Sequence, residues 1–260
     1  MLATVAIDER SALDLFTFWD RTSGTWINAA AVLAGTTLGL VLADRLPQRM
    51  REIIVQGVGL ITIAIGLGMS ESLNRGGGGR IDGVVLGLVA VVAGGLLGEW
   101  WRFEQHLEGF GDRLKARFAG SGGFTEGFVA ASLLFCVGPL TLLGSIDNGL
   151  TGGTRLLGVK ATLDGIAAIA LAGSYGIGVG FSIPVILLYQ GGVSLAAGGL
   201  TQVIPDPAND PRILLMNGVG GILVIGLGIN LLRLTHIRVA AFLPALVLAP
   251  LVQALAAAIG

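Results

Sequence analysis

Apolar residues in this chain fall in long unbroken runs separated by short polar connections, not in the alternation of a half-buried strand. Runs of roughly 18 or more such residues are long enough to cross a bilayer as helices. Eight recur, at about 24–43, 53–70, 81–98, 124–144, 159–178, 182–203, 213–233 and 237–258. The fifth and sixth are almost continuous, so a seven-span or re-entrant arrangement stays open. The pattern predicts an all-α, polytopic membrane helix bundle forming one integral domain over 1–260. Alternating segments of about 10 residues, which a transmembrane barrel requires, are absent from the sequence.

Two stretches depart from the apolar pattern. In 99–123, Trp100, Trp101, Phe103, Leu107, Phe110, Leu114 and Phe118 recur at helical spacing against Arg102, Glu104, Asp112, Arg113, Lys115 and Arg117. This predicts an amphipathic helix along the membrane surface, ended by Ser121-Gly122-Gly123, with the paired tryptophans in the headgroup zone. Residues 1–23 hold Asp8, Glu9, Asp14 and Asp20 without a basic region ahead of an apolar core. They are expected to form a short interfacial helix, with Leu13, Phe16 and Trp19 toward the headgroups, and not a cleavable signal peptide.

Composition agrees with the membrane assignment. Only 13% of residues are charged, against about 25% in soluble domains, and the mean hydropathy is +0.81. Net charge is −1, with no basic domain to suggest nucleic acid. One cysteine, Cys136, excludes an intrachain disulfide framework. In an eight-span arrangement nine of the 16 Lys and Arg residues, from Arg45 to Arg238, fall on one side. That small excess puts this side in the cytoplasm and both termini outside.

Glycine changes the picture most: 43 of 260 residues, about one in six against an average near 7%. Helices in lipid pack by close backbone approach through small residues. Gly35-x-x-x-Gly39, Gly83-x-x-x-Gly87, Gly94-x-x-x-Gly98 and Gly176-x-x-x-Gly180 suit that use, and such faces admit a homo-oligomer. There are internal echoes as well. Gln56-Gly-Val-Gly59 leads to Gly66 and Gly68 as Asn217-Gly-Val-Gly220 leads to Gly226 and Gly228; Asp82-Gly83 and Asp164-Gly165 are each followed by glycines at one spacing. The two echoes imply different offsets, so a duplication is left open.

The candidate chemistry centres on Gly158–Gly191. Lys160 and Asp164 share a helix face four residues apart, and an intramembrane ion pair commonly faces the bundle interior and marks a pathway. Against this stands a helix that starts near Lys160, with the lysine snorkelling to the headgroups. The break Gly173–Gly180 precedes Ser182, a natural N-cap, and Pro184. At membrane depth it would aim freed amides at a polar solute; at the surface it is an ordinary turn. Gly138-Pro139 kinks the fourth span, with Ser145 and Asp147 where that helix ends. Asn28, Gln56, Glu126, Tyr189, Gln190, Asn217 and Asn230 lie within or beside spans, where polar side chains are usually interhelical glue. No cofactor, metal, nucleotide or hydrolase motif is present in the sequence; Asp82 and Asp164 could in principle pair.

The blocks FCVGPLTLLGSIDNGL, KATLDGIAAIALAGSYGIGVGFSIPVILLYQG and IRVAAFLPALV, with GTWINAAAVLAGTTLG and RLPQRMREIIVQGVGLITIAIGL before them, closely resemble the YdfK/YqgA-like bacterial inner-membrane proteins, domain of unknown function 554. The resemblance runs from about Gly24 to Leu248. It implies the bacterial cytoplasmic membrane and carries over no catalytic or binding residue.

The residues point to a small secondary transporter or channel-like permease for a small polar or ionic solute, and not to an enzyme. Its path would be lined by Lys160, Asp164, Ser182 and Gln190, then Asn28 and Asp147, with Asp164 as coupling carboxylate and Lys160 as its charge partner. A non-transporting membrane scaffold, docking through 99–123, is the alternative, and an intramembrane enzyme the third.

Overall fold

A computed structural model describes residues 9–43, 45, 47–117 and 123–259, without the side chains at 9–17, 48, 139, 200, 201 and 203. The expectations for Leu13, Phe16, Phe118, Ser121 and Gly122 fall outside that description. Among the described residues the order is α1 (Glu9–Ala43), α2 (Gln48–Ser70), α3 (Gly83–Trp100), α4 (Phe103–Arg117), α5 (Phe124–Cys136), α6 (Pro139–Thr151), α7 (Arg155–Tyr175), α8 (Ile183–Val203), α9 (Pro211–Leu231) and α10 (Pro244–Ile259). Short 3-10 turns occupy Glu71–Arg75, Gly176–Ser182 and Val239–Phe242.

Local chemistry sets several boundaries. Asp82 accepts from the Val84 N–H and Asp210 from the Arg212 N–H, each capping a helix N-terminus. Asp82 is thus an exposed cap on α3, not a partner for Asp164. Gly152, in the left-handed region at φ 72°, ends α6. Gly138 and Pro139 bend α5 against α6 by 58°, and α6 runs on through Ser145 and Asp147 to Thr151, beyond the end expected there. The N-terminal segment is no separate surface helix either: α1 is continuous from Glu9 to Ala43. Helix α4 is amphipathic, as its sequence predicts, and packs on the start of α5 and on the turn before α10.

Six helical stretches are long and apolar enough to cross a membrane, and the bent pair α5–α6 makes a seventh. One of the six, Arg155–Gly199, takes in α7, the 3-10 turn and most of α8 in 45 residues. It doubles back at the turn, because Asp164 of α7 and Gln190 of α8 both bond to Asn28. Helices α7 and α8 have 21 residues each, about 30 Å of helix at 1.5 Å per residue.

Side-by-side contacts fix the helix directions. Gly24 lies against Leu157, Gly35 against the Gly165 carbonyl and Gly39 against the Ile169 carbonyl, so α1 and α7 run parallel. Gly59 meets Gly228 and Gly66 meets Gly221, so α2 and α9 are antiparallel; Gly94 on Ala245 and Gly98 on Ala241 make α3 and α10 antiparallel too. Arg21 reaches the Leu195 carbonyl and Asn28 reaches Gln190, which opposes α1 to α8. The α1–α2 connection, α4, the Gly176–Ser182 turn and the α9–α10 connection therefore share one end of the bundle. At the centre, α9 has 67% of its span buried, against 28–33% for the other five stretches.

The separation of Gly57 from Gly218 is also that of Gly83, the start of α3, from Pro244, the start of α10. In both pairs, α2 with α9 and α3 with α10, the helices run in opposite directions and pack directly on each other through glycine.

Candidate functional site

Near the middle of α7, Lys160 and Asp164 form an ion pair on one helix face. Asp164 Oδ2 also accepts from Asn28 Nδ2 of α1 at 3.0 Å. The same Nδ2 donates to Gln190 Oε1 of α8 at 3.3 Å. Lys160 and Asp164 are 5% and 7% exposed, Asn28 and Gln190 fully buried. Four of the six path residues named from sequence therefore meet in one centre built by three helices. Small residues make the approach possible: a Cβ on Gly35 would lie 2.2 Å from the Gly165 carbonyl oxygen, so only glycine lets α1 come this close to α7.

The centre is polar beyond what its own bonds use. Asn28 Oδ1 and Gln190 Nε2 are buried without a hydrogen-bond partner, as are the hydroxyls of Thr25, Ser132, Ser145 and Ser194 on α1, α5, α6 and α8. An unpaired buried polar group costs about 1–3 kcal/mol, and lipid offers no water to relieve it. Asn28 Oδ1 and Gln190 Nε2, on the residues bonded to each other at the ion pair, are held unpaired at that expense.

Two of the named residues lie elsewhere. Ser182 is fully buried, but its hydroxyl donates to the Val179 carbonyl at 2.7 Å inside the 3-10 turn. That turn packs on the start of α5, with Gly178 on the Phe124 backbone and Phe181 5.1 Å from the Phe124 ring. It is the point at which α7 and α8 reverse direction, at the end of the bundle that carries α4. Asp147 stays near the α6 terminus, half-buried, where Thr151 donates to it at 3.2 Å.

Its neighbour Asn148 is what the sequence reading missed. Fully buried, Asn148 donates to the Asp20 carbonyl and Ser23 Oγ and accepts from the Gly24 N–H. Arg21 adds bonds to the Gly149 and Leu195 carbonyls. The pair ties α1 to α6 and α8 below the centre. Cys136 of α5 lies within electrostatic range of Lys160 and Asp164, which no sequence spacing discloses.

At the end that carries α4 are two open cavities. One, of about 720 Å³, lies under α4 and is lined by Glu104, Glu108, Asp112 and Glu126 together with Lys115, Arg233 and His236. The other, of about 760 Å³, is lined by Arg51, Gln56 and Glu52 and shares Ser174 and Arg233 with the first. Helix α4 is held over the first by Thr125, which donates to Asp112 at 2.7 Å, and by the Ala241 N–H, which donates to Glu104 at 3.2 Å. Burial pushes the Glu104 carboxyl above its usual range, while the Ala241 N–H draws it back. Neither cavity is lined by Lys160, Asp164, Asn28 or Gln190: the centre is enclosed and the cavities stop short of it. The hydrated hollow expected around Asp164 is instead a closed polar contact.

The family model described as "Protein of unknown function (DUF554)" matches residues 23–254. This chain belongs to the DUF554 family. Two relatives span it almost end to end. The "Uncharacterized membrane protein YdfK" of Bacillus subtilis (strain 168) is 29% identical over 230 residues, covering 88% of this chain and 94% of its own. The "Uncharacterized protein YqgA" of Escherichia coli (strain K12) is 31% identical over 233 residues, covering 87% and 94%. No solved structure matches. This DUF554 chain is a multi-helix membrane protein, as its apolar helices and the name of its Bacillus relative agree.

Proposed function

We propose that this protein is a small secondary transporter or permease of the bacterial cytoplasmic membrane, with the Asn28–Lys160–Asp164–Gln190 centre as its binding site in a closed state. The observation that carries the reading is a buried, charge-bearing polar centre that joins α1, α7 and α8. Intramembrane charges are kept where they serve a path. Asp164 is the coupling carboxylate and Lys160 its partner. The protein is no enzyme on this reading and requires no cofactor.

The test is flux through the purified protein in liposomes, screened over alkali cations, small anions, amino acids and sugars, with lumenal pH followed by a trapped dye. Flux of at least one solute that Asp164→Asn removes is the expected result. Flux of none, or flux unchanged in that variant, would reject the assignment.

The scaffold reading draws on Trp100 and Trp101, 77% and 55% exposed where α3 gives way to α4. It expects alanine at both positions to dissociate membrane complexes while the centre matters for folding alone.

A further inference from the structure

The cavity of about 760 Å³ at the α4 end does not stand alone. A narrower groove of about 210 Å³ shares Arg51 and Ser174 with it. Beyond those two residues the groove is apolar, lined by Gly39 and Leu42 of α1, Ile54 of α2, and Ile166 and Ile169 of α7. Ser174 is next to the last residue of α7, whereas Ile166 stands two residues past Asp164. Eight residues separate Ile166 from Ser174, about 12 Å at 1.5 Å per residue. The groove therefore runs from the end of the bundle toward the middle of the span. Leu42, Ile54 and Ile166 are exposed along it, so acyl chains are what it meets in a bilayer.

The wide end is polar. Its lining carries Arg51 of α2 and Arg233 just past α9 against one acid, Glu52, an excess of one positive charge. Gln56 adds an amide, and Ser174 a hydroxyl whose oxygen is buried without a hydrogen-bond partner. Guanidinium forks match the oxygens of a phosphate, and basic pockets between membrane helices hold anionic headgroups. A soluble anion would fill the basic end and leave the groove unused. A molecule with a phosphodiester head and an acyl tail uses both, and its single negative charge matches the excess.

We propose that this cavity and groove form a site for one anionic phospholipid, with its phosphodiester among Arg51, Arg233 and Ser174 and an acyl chain along the groove between α1, α2 and α7. Arg51 stands at the junction of head and tail. The Ser174 hydroxyl donates to a phosphate oxygen and so gains the partner it lacks. The lining comes from α1, α2, α7 and α9, so the lipid fastens the α1–α7 pair to the α2–α9 pair at one end of the bundle. Nothing in this site draws on the Asn28–Asp164 centre, and it stands apart from the permease reading.

The experiment uses the full-length protein in detergent, with bound lipid counted by native mass spectrometry. Phosphatidylglycerol is compared with phosphatidylcholine of the same acyl chains, and glycerophosphoglycerol serves as the same head without a tail. We expect one phosphatidylglycerol to be held about tenfold more tightly than phosphatidylcholine. Arg51→Gln and Arg233→Gln should each weaken it about fivefold, the effect of one basic residue at a lipid surface, while Arg113→Gln on α4 changes nothing. Should either cavity variant fail to fold, the parent protein's preference between the two lipids decides alone. Equal retention of the two lipids, no loss in the cavity variants, the same loss in Arg113→Gln, or glycerophosphoglycerol bound as tightly as the lipid would each overturn the proposal.

Discussion

The Asn28 side chain donates to the Gln190 side-chain oxygen at 3.3 Å, so one amide of α1 reaches α8. The same nitrogen donates to Asp164 of α7, and a single side chain thus ties three helices together at the buried ion pair.

Removing one member of the buried pair should cost more than removing both. Asp164→Asn leaves the Lys160 ammonium buried and unpaired, a loss of about 3–5 kcal/mol, whereas replacing both members by apolar residues of similar volume is often neutral or stabilising. Thermal unfolding in detergent should rank Lys160→Met/Asp164→Leu above Asp164→Asn. The opposite order would place the pair in water.

Asn28 and Gln190 should be coupled. A double-mutant cycle on Asn28→Ala and Gln190→Ala is expected to give an interaction energy of about 0.6 kcal/mol, and under about 1.7, the range for polar contacts between membrane helices. Additive losses would show that the bond does not form.

The glycines should divide by what they face. A Cβ on Gly35 would meet the Gly165 carbonyl oxygen at 2.2 Å and one on Gly98 the Ala241 carbonyl oxygen at 1.8 Å, while Gly57 and Gly68 have nothing within 4 Å. Alanine at 35 or 98 should lower the melting temperature by several degrees. Alanine at 57 or 68 should leave it unchanged or raise it, since alanine favours a helix over glycine by about 1 kcal/mol.

Docking of α4 should weaken as pH rises. Burial raises the Glu104 carboxyl, so the folded state holds that proton more tightly than the unfolded chain. Its contribution is complete below the ordinary carboxylate range and is lost as pH climbs through the raised value. Limited proteolysis at Arg113 and Lys115 should accelerate over that interval, and Glu104→Gln should flatten the response. A profile identical in the two proteins would refute the link.

Crossing number can be read from labelling. In a Cys136→Ser background, a membrane-impermeant maleimide should reach Ile177→Cys and Arg113→Cys from one side and Arg80→Cys from the other. Labelling of 113 and 80 from the same side would contradict the helix directions derived from the glycine contacts.

Much of this was legible from apolar run length. Long apolar runs became a bundle of membrane-length helices, and the amphipathic helix Phe103–Arg117 announced itself by its charges. Lys160 and Asp164 were visible because four residues make one helical turn, and Asn28 and Gln190 because amides are scarce in lipid. What linear spacing could not supply was which helices adjoin. Asp147 and Asn148 are adjacent in sequence, yet that single step turns the side chain from the half-buried rim of α6 to its buried side. Ser182 carried the features of a cap, but a 3-10 turn consumed its hydroxyl. The glycine echo between α2 and α9 marks where the two helices pack, Gly59 on Gly228 and Gly66 on Gly221.

Helix α4 is fastened at two points, to Thr125 at the start of α5 and to the Ala241 N–H just ahead of α10. Among the described residues the connection from α2 to α3, at the opposite end, is a short turn. A pull on α4 therefore tugs two helices at once, which gives anything that grips it from outside a lever on the interior.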